Sequence, residues 1–171
     1  MAKKARYTFA KKTFYNNIMK NVVREQTARL IAYAKEELYE MIVSRTFKSR
    51  TFNLADSYVY AVYYDGKEQA HGYVGAKMAN KQAIYIDKRN PSKKILVDGR
   101  KEATEFLTKF KSALPTKNGW VVVWAACTPY AKELDPATGS SKKNRFFVIS
   151  QRYDHIANTF SSKGVVSLKV M

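Results

Sequence analysis

The sequence predicts an α+β fold: a long N-terminal helix, a mixed or antiparallel sheet, and two further helices packed on it. Three observations carry this. The stretch 16–45 contains no glycine or proline and spaces its apolar residues by three and four. The run Tyr58-Val59-Tyr60-Ala61-Val62-Tyr63-Tyr64 is aromatic and β-branched and stops at Asp65-Gly66. Two later stretches return to helical spacing on either side of a strongly apolar, β-type run at 120–127.

Residues 1–12 hold Lys3, Lys4, Arg6, Lys11 and Lys12 and no acid, which reads as a flexible basic arm that orders on contact. Residues 13–171 read as one α+β domain. Its first helix runs from about Asn16 to Arg45, with Ile18, Val22, Leu30, Ile31, Ala34, Leu38, Met41 and Ile42 as a single apolar stripe. Glu36, Glu37 and Glu40 lie off that stripe and read as a solvated face. Residues 51–57 carry capping-type side chains and suit one helical turn. Asp65-Gly66 then turns the 58–64 strand into a hairpin whose return strand includes Gly72-Tyr73-Val74, with His71 in the hairpin loop. A short strand is expected at 83–87 and a basic loop at 88–94.

From Asp98 to Lys111, the residues Ala103, Phe106, Leu107 and Phe110 form a helical stripe with Asp98 as its cap, and Leu114-Pro115 ends it. Trp120 to Cys127 is the clearest strand. Residues 137–144 read as an exposed loop and 145–160 as a helix, stopped by Gly164. A tail strand is expected at 165–170. No solenoid repeat is visible.

Lys and Arg number 31 against 14 Asp and Glu, a net charge of +17. Such an imbalance works against compaction by self-repulsion, so an acidic partner is expected in the working complex. The charge is densest in residues 1–50, with 12 basic and 4 acidic residues. No apolar run approaches the roughly 20 residues of a membrane span, so no membrane partner is expected. The basic N-terminus is followed by no apolar segment of the secretory kind. The single cysteine, Cys127, leaves no internal disulfide, and its apolar neighbours point to a buried, inert thiol.

Catalytic patterns are sparse. His71 and His155 are far apart and lack metal-ligand spacing. The chain has no phosphate-cradling glycine loop and no nucleophile elbow. The expectation is therefore a chain that is not an enzyme and takes no metal or cofactor, although a site assembled from scattered residues has no sequence signature. Twelve tyrosines and nine phenylalanines gather around 58–64 and 146–160. Interleaved with cations, they suit a stacking platform for single strands. They also suit a sheet with one buried and one amphipathic face, and an interface, and this second reading carries more weight.

The order of elements and two short motifs resemble the tail-completion and head–tail connector proteins of tailed bacteriophages. In that family a Thr-Gly-x-Leu-x-x-Ser element precedes a strand, and a Tyr-Ala element followed by an acid and Gly-Thr follows another. Here Thr51, Leu54 and Ser57 match the first, before the strand at 58–64. Tyr130 and Ala131 match the second, after Val121-Val122-Val123-Trp124. Phe52 stands where the family has glycine, and Ala137-Thr138-Gly139 stands near the place of the Gly-Thr step. The likeness spans residues 16–160.

The resemblance implies a structural subunit of a virion neck or tail-completion ring, assembled in the host cytoplasm, with genome DNA passing through the ring. Its partners would be other copies of itself, neighbouring portal, neck and tail-tube proteins, and DNA contacted nonspecifically. The 1–12 arm and the 88–94 and 137–144 loops are then candidates for contact between subunits. Lys3, Lys4, Arg6, Lys11, Lys12, Lys88, Arg89, Lys93, Lys94, Lys142 and Lys143 are the candidate interface or DNA-facing residues. The alternative is a nucleic-acid-binding protein without sequence preference, of the single-strand kind, reading bases through Tyr60 and Tyr63.

Overall fold

The computed structural model describes residues 2–43, 52–76, 83–86, 90–116, 119–129, 131 and 149–160. Helix α1 (Ala2–Val43) leads into the single turn α2 (Asn53–Asp56). Strands β1 (Tyr58–Tyr64) and β2 (Lys67–Tyr73) follow as a hairpin, then β3 (Ala83–Ile86) and β4 (Lys94–Val97) as a second one. Helix α3 (Gly99–Ala113), strand β5 (Trp120–Ala126) and helix α4 (Ile149–Phe160) complete the described elements. The α+β class and the packing of helices on an antiparallel sheet are as the sequence predicts. The expected tail strand at 165–170 and the loop at 137–144 lie outside the described residues.

The main sheet has the order β2-β1-β5, with both pairings antiparallel. Asp65 and Gly66 both take positive φ, 47° and 73°, the backbone that a two-residue hairpin turn needs. The turn is tied down from β5's side. The Asp65 amide donates to the Gly119 carbonyl, and the Gly119 amide donates back to Asp65 Oδ1, both at 2.9 Å. His71 is not in the loop. It lies within β2, opposite Ala61, with its Nδ1 2.6 Å from Glu68 Oε1. The turn is tighter than expected, so the return strand begins four residues before the histidine.

β1 is the central strand, and both of its faces are buried. Tyr58, Tyr60 and Val62 point to one side, into a core with Ala34, Leu38, Met41 and Ile42 of α1 and Ile156 of α4. Val59, Ala61 and Tyr63 point to the other, against Ala103 and Leu107 of α3. The molecule is thus a three-layer stack in which the sheet lies between α1 with α4 on one side and α3 on the other. This corrects the expectation of one amphipathic face. Two-period alternation cannot distinguish a half-buried strand from one covered twice when both faces are apolar. Burial leaves Tyr60 and Tyr63 under 10% exposed, so neither ring can stack on a base, and the platform expected of them is withdrawn.

α1 begins at Ala2, so the expected arm is helical from Ala2 to Lys12 and continuous with the rest. Two indoles seat the helix on the sheet. Trp120 Nε1 donates to Thr27 Oγ1 and Trp124 Nε1 to the Ala34 carbonyl, each at 3.0 Å. Tyr33 adds edge-on contacts to Trp124 and Phe160. Thr27, Ala34, Leu38 and Met41 form the buried face. The single stripe expected from Ile18 to Ile42 divides in two. Every described side chain from Lys12 to Val22 is exposed, including Ile18 and Val22. The gap in the stripe between Val22 and Leu30 marks the change of face.

Candidate functional site

The first resemblance-bearing element forms the turn α2. Phe52, just before it, takes φ 57°, ψ −3°, in the left-handed region. Left-handed backbone crowds a Cβ and is the ordinary use of glycine. Asn53, Leu54, Ala55 and Asp56 are all buried, and Ser57 Oγ donates to the Leu54 carbonyl at 2.8 Å, closing the turn on itself. Ser57 then hands the chain to β1.

The second element meets the first in space. The Cys127 amide donates to the Ser57 carbonyl at 3.3 Å, continuing the β1–β5 pairing past Tyr58 and Ala126. The Ala131 amide donates to the Thr128 carbonyl at 2.9 Å, and Ala131 packs in one core cluster with Leu54. Tyr130 and the Ala137-Thr138-Gly139 stretch lie outside the described residues.

Helix α3 closes this end of the molecule. Its Asp98 cap accepts from the amides of Arg100 and Lys101 at 3.1 and 3.2 Å, the cap expected from sequence. The Gly99 amide donates to Asn53 Oδ1 at 3.1 Å, and a Cβ at Gly99 would stand 1.8 Å from the Asn53 carbonyl oxygen. The two turns therefore touch backbone to backbone. Arg100 spreads over the Tyr73 ring at 3.9 Å, joining α3 to the end of β2.

A second polar cluster was hidden from sequence reasoning. Glu37 is buried, not solvated. It accepts two hydrogen bonds of 2.9 Å from Arg152, Nε to Oε2 and Nη2 to Oε1, and His155 Nε2 stands 3.3 Å from its Oε1. Burial raises the Tyr33 phenol above its ordinary pKa, and the nearby Glu37 carboxylate adds to the rise. The cluster pins α4 to α1. A glutamate beside another on a charged helix gives no local sign that a partner 115 residues away will bury it.

The chemistry available is modest. Among the described residues no three His, Cys, Asp or Glu side chains gather as a metal site, and no helix is long and apolar enough to cross a membrane. Burial pushes the Cys127 thiol up to about 12, with Glu102 adding to the rise, so the thiol is held protonated as the sequence suggested. The cavity of note is an open groove between α1 and the β1–β2 hairpin, touched by Met19, Val23, Thr27, Tyr64 and Gln69.

The candidate basic residues fall on separate elements. Lys3, Lys4, Arg6, Lys11 and Lys12 belong to the first turns of α1, where Lys12 is exposed. Lys93 and Lys94 are exposed at the start of β4, where Lys94 is a strand residue and not part of a loop. Lys88, Arg89, Lys142 and Lys143 lie outside the described residues. The β3–β4 hairpin that carries Lys94 also turns Ile84, Ile86 and Leu96 outward. Comparison of the chain with protein-family models, with curated proteins and with solved structures finds no match in any of the three.

Proposed function

We propose that the chain is a non-enzymatic structural subunit of a bacteriophage neck or tail-completion ring, joining head to tail with DNA passing through its lumen. The observation that carries this reading is Phe52. At the one position where the first motif departs from the family's glycine, the backbone takes the left-handed conformation that glycine serves. The junction of that turn with the Cys127–Ala131 segment adds support, because the two elements that carry the resemblance form one end of the sheet.

A ring subunit works through surfaces and not through a reaction centre. It needs complementary faces that close under rotation, and exposed cations that meet phosphate without base specificity. Outward-turned Ile84, Ile86 and Leu96, with Lys93 and Lys94 alongside, supply one such face. The assembled product belongs to the virion, with portal-side and tail-tube proteins as its neighbours.

The test is the mass of the purified full chain by light scattering, with and without a DNA duplex, at low and at moderate salt. A discrete ring-sized species, or a monomer indifferent to DNA at moderate salt, supports the ring subunit. Stoichiometric DNA binding that survives moderate salt overturns it in favour of a nucleic-acid-binding protein.

A further inference from the structure

We infer that α1 carries a self-association surface on which the outward face of its N-terminal half docks against the outward face of its C-terminal half in a second copy of the chain. Steps of three and four residues run along this face from Phe14 through Ile18 and Val22 to Glu36, Tyr39 and Val43, and each of these side chains is exposed. Phe14 is 68% exposed, Tyr39 58% and Val43 59%. The face that packs on the sheet is a different one, built on Thr27, Ala34, Leu38 and Met41. The outward face therefore carries an exposed apolar patch at each end, separated by Glu25, Arg29 and Glu36, and its own domain covers neither.

Charge identifies the occupant. The first 24 residues hold seven Lys or Arg and no acid, whereas residues 25–43 hold four Glu against Arg29 and Lys35. The basic half lies at the positive end of the helix dipole, and most of the acids lie toward its negative end, the reverse of what an isolated helix prefers. A second α1 laid antiparallel, N-terminal half over C-terminal half, corrects both mismatches at once. It brings the basic N-terminal half of one copy over the Glu-bearing half of the other and covers Phe14, Ile18 and Val22 with Tyr39 and Val43. An unrelated acidic protein would satisfy the basic half and leave Tyr39 and Val43 uncovered. DNA would leave the apolar residues bare, and an anionic vesicle would repel Glu36 and Glu40.

This pairing does not depend on the ring reading, and one experiment separates them. Phe14→Cys and Val43→Cys variants of the full chain are mixed and oxidised. The native Cys127 thiol, held protonated, contributes little. Disulfides joining position 14 of one copy to position 43 of another are expected, and their loss when Ile18→Asp and Val22→Asp are added. These two residues are exposed, so an unchanged circular dichroism spectrum is expected to show that the variants still fold. Glu36→Lys is expected to weaken association about tenfold.

Cross-links between two copies of Phe14→Cys, with none between 14 and 43, overturn the pairing. So does a wild-type chain that is monomeric by light scattering at every accessible concentration, a result that leaves the ring reading standing if DNA has no effect. A wild-type chain whose mass by light scattering is two copies upholds the pairing and counts against a ring built on this face alone, because an antiparallel pair covers the face on both copies. Protection of Phe14 and Ile18 by phosphatidylglycerol vesicles, without self-association, overturns the pairing in favour of a membrane surface.

Discussion

Glu37 illustrates how much one buried carboxylate can depend on its partners. It sits almost wholly out of water, while Arg152 keeps 28% of its side chain exposed. The two truncations therefore differ. Arg152→Ala strands a buried negative charge beside His155 and the Tyr33 phenol, neither of which replaces the guanidinium, and should destabilise the fold by about 3 kcal/mol or more. Glu37→Ala leaves a guanidinium that water can reach, and should cost about 1–2 kcal/mol. Urea denaturation of both variants checks the order. Equal losses would mean that the pair contributes through packing and not through charge.

Two other groups, the half-buried Cys127 thiol and the buried Tyr63 phenol, set the alkaline limit. Burial raises the Cys127 thiol from its ordinary 9.0 to about 12, and the Tyr63 phenol from 10.0 to about 12. Both are neutral when protonated, and both ionise sooner in the unfolded chain. Their contribution is fully present below pH 9 and is lost as pH rises from 9 toward 12. The midpoint of thermal unfolding should fall steadily across that window, and the Cys127 thiol should react slowly with iodoacetamide at pH 9 until denaturant is added. The Tyr63 hydroxyl has no hydrogen-bond partner among the described residues, so Tyr63→Phe should preserve stability and flatten part of the alkaline slope.

At the scale of elements, the turn at Phe52 combines strain with close packing. A left-handed non-glycine residue costs about 1–2 kcal/mol, and glycine removes that cost while adding about 0.4–1 kcal/mol of unfolded-state entropy. Phe52→Gly should therefore stabilise the chain by up to about 1 kcal/mol, and Phe52→Ala should not. Chemical denaturation distinguishes the two, and a destabilised Phe52→Gly would show that the half-exposed ring holds the turn by contacts that outweigh the strain. The α3 cap and the Asp65-Gly66 turn were legible in sequence because each depends on neighbours one to three residues away. The division of α1 into two faces was less so. Spacings of three and four occur on both faces, and only the indoles of Trp120 and Trp124 decide which face meets the sheet.

For the whole molecule the dominant quantity is its net charge of +17. Self-repulsion on that scale is long-ranged and screened by salt, whereas the Glu37–Arg152 pair is largely shielded from solvent and little affected. Raising ionic strength from low to moderate should therefore raise stability by about 1 kcal/mol, or about 2–4 °C in Tm. Differential scanning calorimetry across a salt series measures it, and a Tm that fell with salt would point to surface ion pairs outweighing the repulsion.

By itself, the sequence determined the α+β class, the order and type of the described elements apart from β4, the hairpin turn, the α3 cap and the inert thiol. Each of these rests on periodicity, turn chemistry or polarity within a few residues along the chain. Only the tertiary structure decided that β1 is covered on both faces, that Tyr60 and Tyr63 belong to the core, that Glu37 is buried against Arg152, and that Phe14, Ile18 and Val22 face outward. Burial depends on which distant segment arrives, and the packing of α4 and β5 on α1 joins residues that no local pattern relates.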